Sequence, residues 1–143
     1  MSSKWMANRV YSAEKDRKII TMRLTGTGAS TATLDTANSK GVAAITRNSV
    51  GNYDIQFGNS INGVIVPDPF VKVLDVNVTL FLVATYGPAT SVTQAYVVNG
   101  SNAVNSTGVV RIIFVAANGT NAVDIANTDI VTVTFTMGDS TAP

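Results

Sequence analysis

Asp124, Asn127 and Asp129 form the densest oxygen cluster in the sequence, and an all-oxygen set is what a hard cation such as Ca²⁺ requires. Their spacing does not reproduce an EF-hand loop, so no metal site is expected. Asp54, Asp68, Asp75 and Asp139 add carboxylates that could pair for glycoside chemistry. The only Trp is Trp5, however, so none is available in the body to stack a sugar, and half of these aspartates fall where strands are expected to start or end. Solvated turn and edge positions account for them. Gly26-Thr27-Gly28 begins like a dinucleotide fingerprint, but position 31 is Thr and no strand, glycine loop and long helix surround it. It reads as a loop. The chain has no His and no Cys, which removes the commonest general base, thiolate nucleophiles, disulfides and Zn–thiolate sites. No catalytic residue and no cofactor are expected.

Two strand charges remain, Lys72 and Arg111, each inside an apolar run. A lone charge in such a run points outward from a half-buried face, and both are candidate interface charges in an oligomer, where Arg is enriched. Asn-x-Ser/Thr triplets occur at Asn77, Asn99, Asn105 and Asn118. With no apolar h-region between Met1 and Ile20, no signal peptide is expected, and the triplets read as by-products of an Asn- and Thr-rich composition.

The elements that must position these residues are strands. The chain's 143 residues fit one domain with a core of its own. Charged residues are only 13% of the total, about half of the roughly 25% usual in soluble domains, so surface polarity falls to Thr, Asn and Ser. Tyr53, Ile55 and Phe57 alternate with Asp54 and Gln56, and Val131, Val133, Phe135 and Met137 alternate with threonines. Each run predicts a strand with one dry face. Further strands are predicted at 19–24, 41–47, 61–66, 92–98 and 108–116, and the longest at 71–86, its second half buried on both faces. Asn62-Gly63, Asn99-Gly100 and Asn118-Gly119 predict type I′ turns, hence antiparallel connections. Pro67 and Pro69 should break one strand before the long one. No run approaches the length of a spanning helix. The expected fold is all-β: a single antiparallel β-sandwich or barrel-like domain over residues 19–143, behind a short basic arm at 1–18. Its core should include Ile45, Tyr53, Ile55, Phe57, Val78, Leu80, Leu82, Ile112, Phe114, Val133 and Phe135.

Residues 1–23 hold six of the ten basic and two of the nine acidic residues, a net of +4 that leaves −3 for the rest. The arm combines Trp5, Met6 and Tyr11 with Arg9, Lys15, Arg17 and Lys18, and an aromatic anchor among bases is what a docking segment uses. The other reading is a terminus whose Trp folds back on the body. Ser12 could cap one short helix ending at Lys18. The overall charge of +1 argues against a nucleic-acid partner, and no membrane partner is expected.

Leu34-Asp35-Thr36-Ala37-Asn38-Ser39-Lys40-Gly41-Val42, then Ala44-Ile45-Thr46-Arg47 and Gly51-Asn52-Tyr53-Asp54-Ile55-Gln56-Phe57, resemble the small head decoration (cement) proteins of tailed bacteriophages. The strand from Phe70 to Val78 and a closing Asp124 to Phe135 segment extend that resemblance over roughly residues 34–82 and 124–136. It implies a non-enzymatic virion protein on the outer capsid surface, assembled in the host cytoplasm and bound to the major capsid protein and to other copies of itself, as a homo-oligomer such as a trimer. Assembly in a reducing cytoplasm is consistent with the absence of Cys. The competing class is a tail-fibre or spike adhesin, a carbohydrate-binding β domain. It calls for aromatic residues on loops, where only Tyr86, before Gly87-Pro88, is well placed. A phage hydrolase is set aside by the missing His and Cys.

Overall fold

The computed structural model describes residues 17–67, 72–82, 86–98 and 108–138. Nine strands occur among them: β1 (Arg17–Thr25), β2 (Thr33–Leu34), β3 (Val42–Ser49), β4 (Asn52–Ile61), β5 (Val64–Pro67), β6 (Lys72–Phe81), β7 (Gln94–Val97), β8 (Val109–Val115) and β9 (Ile130–Gly138). They form two antiparallel sheets, one ordered β2-β1-β9-β6 and the other β3-β4-β8-β7, with β5 paired to β4. The two pack face to face as an open sandwich, not a closed barrel. The all-β expectation holds.

Alternation decides which side chains meet. Val131, Val133, Phe135 and Met137 of β9 point inward, as do Ile20, Met22 and Leu24 of β1. Facing them are Tyr53, Ile55 and Phe57 of β4 and Val110, Ile112 and Phe114 of β8. Period-2 patterning seals both inner faces at once. Phe57 crosses to Phe135 edge to face at 5.0 Å, and Tyr53 meets Phe114 in the same manner at 5.4 Å. Thr132, Thr134 and Thr136 stay on the outer face.

The long strand is the main departure from expectation. It ends at Phe81, and Phe81 and Leu82 are exposed, so its second half is not buried on both faces. The reason is position: β6 is the edge of its sheet, and at its end the Phe81 ring is met by the Arg23 guanidinium, 5.6 Å from its centroid, rather than by a second apolar layer. Val78, Leu80 and Ile45 only lean on the core, and Leu82 does not belong to it. A register shift between Val73 and Asp75 lets Val73 point inward ahead of Val76, which is why Val73, absent from the expected core, is buried.

Asn62-Gly63 forms the expected turn, with φ of 50° and 78°, both in the left-handed region that type I′ demands. Asn118-Gly119 does not, because only Gly119 has positive φ. Instead the Asn118 carboxamide oxygen accepts from the Thr120 and Asn121 amides. Asn99-Gly100 lies outside the described residues. The expected helix ending at Lys18 is overturned at its end, since Arg17 and Lys18 are strand residues paired with Gly138 and Met137.

Phe135→Ala should cost about 3–5 kcal/mol in urea unfolding. Leu82→Ala should cost about 0.5 kcal/mol or less. Equal losses at the two positions would contradict the assignment of β6 as an open edge.

Candidate docking surface and the Asp124 clasp

The strand directions sort the chain into two ends. Lys72 and Arg17 both pair with Gly138, so the starts of β1 and β6 and the finish of β9 lie together. Gly58 donates its amide to Gly41 and Phe57 donates to Gly108, which adds the root of the β4–β5 hairpin and the start of β8 to the same end. The opposite end gathers the 26–32 loop, the Ser49–Asn52 turn and the chain from Ala116 to Asp129.

That opposite end is locked by Asp124. Its carboxylate accepts Arg47 Nε at 2.9 Å and Nη2 at 2.8 Å, the Gly51 amide at 3.0 Å and the Tyr53 hydroxyl at 3.0 Å. Burial pushes the carboxyl's pKa up, but Arg47, the Gly51 amide and Tyr53 outweigh it, and Asp124 titrates below its ordinary value. Burial first, and then the Asp124 charge, push the Tyr53 phenol up. Hydrogen bonding to Asp124 holds Arg47 more firmly protonated. The phenol is therefore held protonated, and the carboxylate accepts from four donor atoms. Gly51 is required here: its φ is +66°, and a Cβ would stand 2.7 Å from the Phe114 carbonyl oxygen. The cluster is a fastening between the β3–β4 turn and the chain leading into β9. Of the Asp124–Asn127–Asp129 set, Asp124 is thus taken up by protein donors.

Arg111 lies opposite Asp54 in the β4–β8 register and donates to it through Nε at 2.6 Å and Nη2 at 3.0 Å. Hydrogen bonding to Arg111 holds the Asp54 carboxyl below its ordinary range. A partner recruiting Arg111 must compete with this exposed pair, which contributes little to stability. Lys72 opens β6 at the hairpin end. Arg17 and Lys18 open β1 at that end too, while Trp5, Met6, Arg9, Tyr11 and Lys15 lie outside the described residues.

The expected strand at 61–66 is instead the tip of β4, the Asn62-Gly63 turn and β5, and what the strand reading missed is that this hairpin extends past the other strands. Beyond Gly58, β4 pairs among the described residues with β5 alone, and Ile61, Val64, Ile65 and Val66 stand 57%, 65%, 38% and 48% exposed. A cleft at its base is lined by Ser39, Lys40, Gly41, Asn59 and Ser60, among others. The signal in the sequence was an Asn-Gly turn inside an aliphatic run without polar alternation, which marks a hairpin with no wet face. No match was found to any protein-family model, curated protein or solved structure.

Asp124→Ala should cost about 1–3 kcal/mol by orphaning the Gly51 amide and the Tyr53 hydroxyl. Because the folded-state pKa of Asp124 is lowered, its contribution is complete above the unfolded value of about 3.9 and is lost as pH falls through the folded one. Urea midpoints measured from pH 7 down to pH 2 should therefore fall less steeply for the variant than for the parent. Parallel curves would show that the carboxylate is not held charged by its donors.

Proposed function

We propose that this chain is a capsid decoration protein of a tailed phage, a structural protein that binds the outer shell of the assembled head and stabilises it. The observation that supports this most is the hairpin end. Four exposed aliphatic side chains leave the sandwich on a projecting ribbon, beside the strand starts that carry Arg17, Lys18 and Lys72. Contiguous exposed apolar surface marks a surface meant to be covered, and an unpaired hairpin edge is otherwise an aggregation hazard. Among the described residues, those carrying the phage-head resemblance fall on β3, β4, β6 and the stretch running into β9.

In this reading the hairpin seats on the major capsid protein, and the basic strand starts add charge at its rim. Arg111, paired on the outer face of β8, serves contacts between neighbouring copies. Stabilisation needs no covalent chemistry: a protein that binds the mature shell better than its precursor shifts the shell toward the mature state. Neighbouring copies raise the effective concentration, adding about 10²–10⁴-fold in avidity. The adhesin reading draws on Tyr86, which is exposed beyond the far end of β6.

Val64→Asp places a charge on the hairpin where it disturbs no packing, so stability should stay within about 0.5 kcal/mol. The variant should lose decoration of protein-free heads in a sedimentation assay, and heads without the protein should form, package and then release DNA at lower temperature. If Val64→Asp decorates like the parent, the hairpin is not the docking element. If undecorated virions are stable but fail to adsorb to cells, the adhesin reading replaces this one.

A further inference from the structure

Two Asn-Gly pairs lie among the described residues, and the fold treats them oppositely. Asn118 is fastened: its carboxamide oxygen accepts from the Thr120 and Asn121 amides at 3.1 and 3.0 Å, and the Gly119 amide donates to the Ala116 carbonyl at 2.9 Å. Asn62 and Gly63 stand exposed at the tip of the β4–β5 hairpin, and a Cβ at Gly63 would meet nothing within 4 Å. Glycine has no side chain to shield its amide nitrogen from the carboxamide before it, and Asn is a thermolabile residue.

We propose that Asn62 is a self-modification site, at which the Gly63 amide nitrogen attacks Asn62 Cγ. The nitrogen gives up its proton, the N–Cγ bond forms, the Cγ–Nδ2 bond breaks, and the side-chain nitrogen leaves as ammonia with that proton. Water then opens the five-membered imide at either carbonyl, leaving aspartate or isoaspartate at position 62. Water is the one co-reactant. Closing the imide takes both residues out of the type I′ geometry, so the rate follows how often the turn opens. Among the described residues β4 beyond Gly58 pairs with β5 alone, and a two-stranded ribbon is marginal by itself. Opening at Gly119 must instead break the three bonds of the Asn118 turn, beside the Val115–Ala122 bridge.

The products change the hairpin in two ways. Residues 58–67 carry no charged side chain, so either product sets a new negative charge beside the Ile61–Val64 pair. Isoaspartate also adds a methylene to the main chain, which a two-residue type I′ connection does not hold in register. Where the hairpin is the docking element, the reading on which this consequence rests, free protein loses its capacity to dock as it ages. A docked tip, covered and held shut, keeps its carboxamide.

The test incubates the full chain in mildly alkaline buffer and follows each Asn-Gly pair separately by peptide mass spectrometry. Asn62 should gain the mass of deamidation about tenfold or more faster than Asn118, the ratio that one net hydrogen bond lost on opening produces. Its aspartate and isoaspartate peptides should separate as two products. Conversion of Asn62 no faster than that of Asn118 would overturn the site. In the sedimentation assay, aged parent should lose decoration in step with its modified fraction. Equally aged Asn62→Gly, which keeps a type I′ sequence without the carboxamide, should retain it. Equal losses by the two would overturn the ageing role, whereas fresh parent that fails to decorate would overturn the capsid reading and leave the mass result to decide the site.

Discussion

Phe57 and Phe135 meet edge to face at 5.0 Å where the middle strands of the two sheets press together. Much else follows from that pairing. It fixes β9 between β1 and β6, and it fixes β4 between β3 and β8. With β1 and β8 beside these centres, β2, β6, β3 and β7 fall at the ends of the two strand orders, and it is past such boundaries that exposed apolar side chains such as Phe81 and Leu82 occur. An aromatic pair of this geometry contributes about 0.5–1.5 kcal/mol beyond area burial, modest beside the order it imposes.

The two ends of the sandwich are finished differently. At one end Asp124 gathers a guanidinium, an amide and a phenol, so that loops distant in sequence are tied by a partly buried charge with all its donors in place. At the other end β4 runs past its neighbours and takes β5 out with it. A rigid end and a projecting end suit a protein that must hold its shape while presenting one apolar element to a larger surface. The β6–β7 side adds a third kind of boundary, a groove between two edge strands lined by Val73, Val76, Val78, Ala95 and Tyr96.

Strands with one dry face were legible because burial imposes a strict period of two: Tyr53, Ile55 and Phe57, and the Val131 to Met137 run, appear in the sequence as they do in the core. Edges were not legible. Nothing in Phe81 or Leu82 says that no second sheet reaches them, and nothing in Ile61 to Val66 says that the hairpin leaves the body, since burial belongs to the partner as much as to the residue. Asp124 carried oxygen ligands in its neighbourhood, yet its true partners lie 71 to 77 residues away, a pairing that spacing cannot reveal. Arg111 was placed correctly on an outer face, while its cross-strand acid emerged only with the register.

The central claim is that the hairpin end is the face that becomes covered. Electron cryomicroscopy of decorated heads tests it most directly, because a sandwich with one projecting ribbon has a recognisable orientation. The account predicts density in which the β4–β5 hairpin and the starts of β1 and β6 abut the shell, with the Asp124 end turned to solvent. Density with the Asp124 end against the shell and the hairpin free would contradict it.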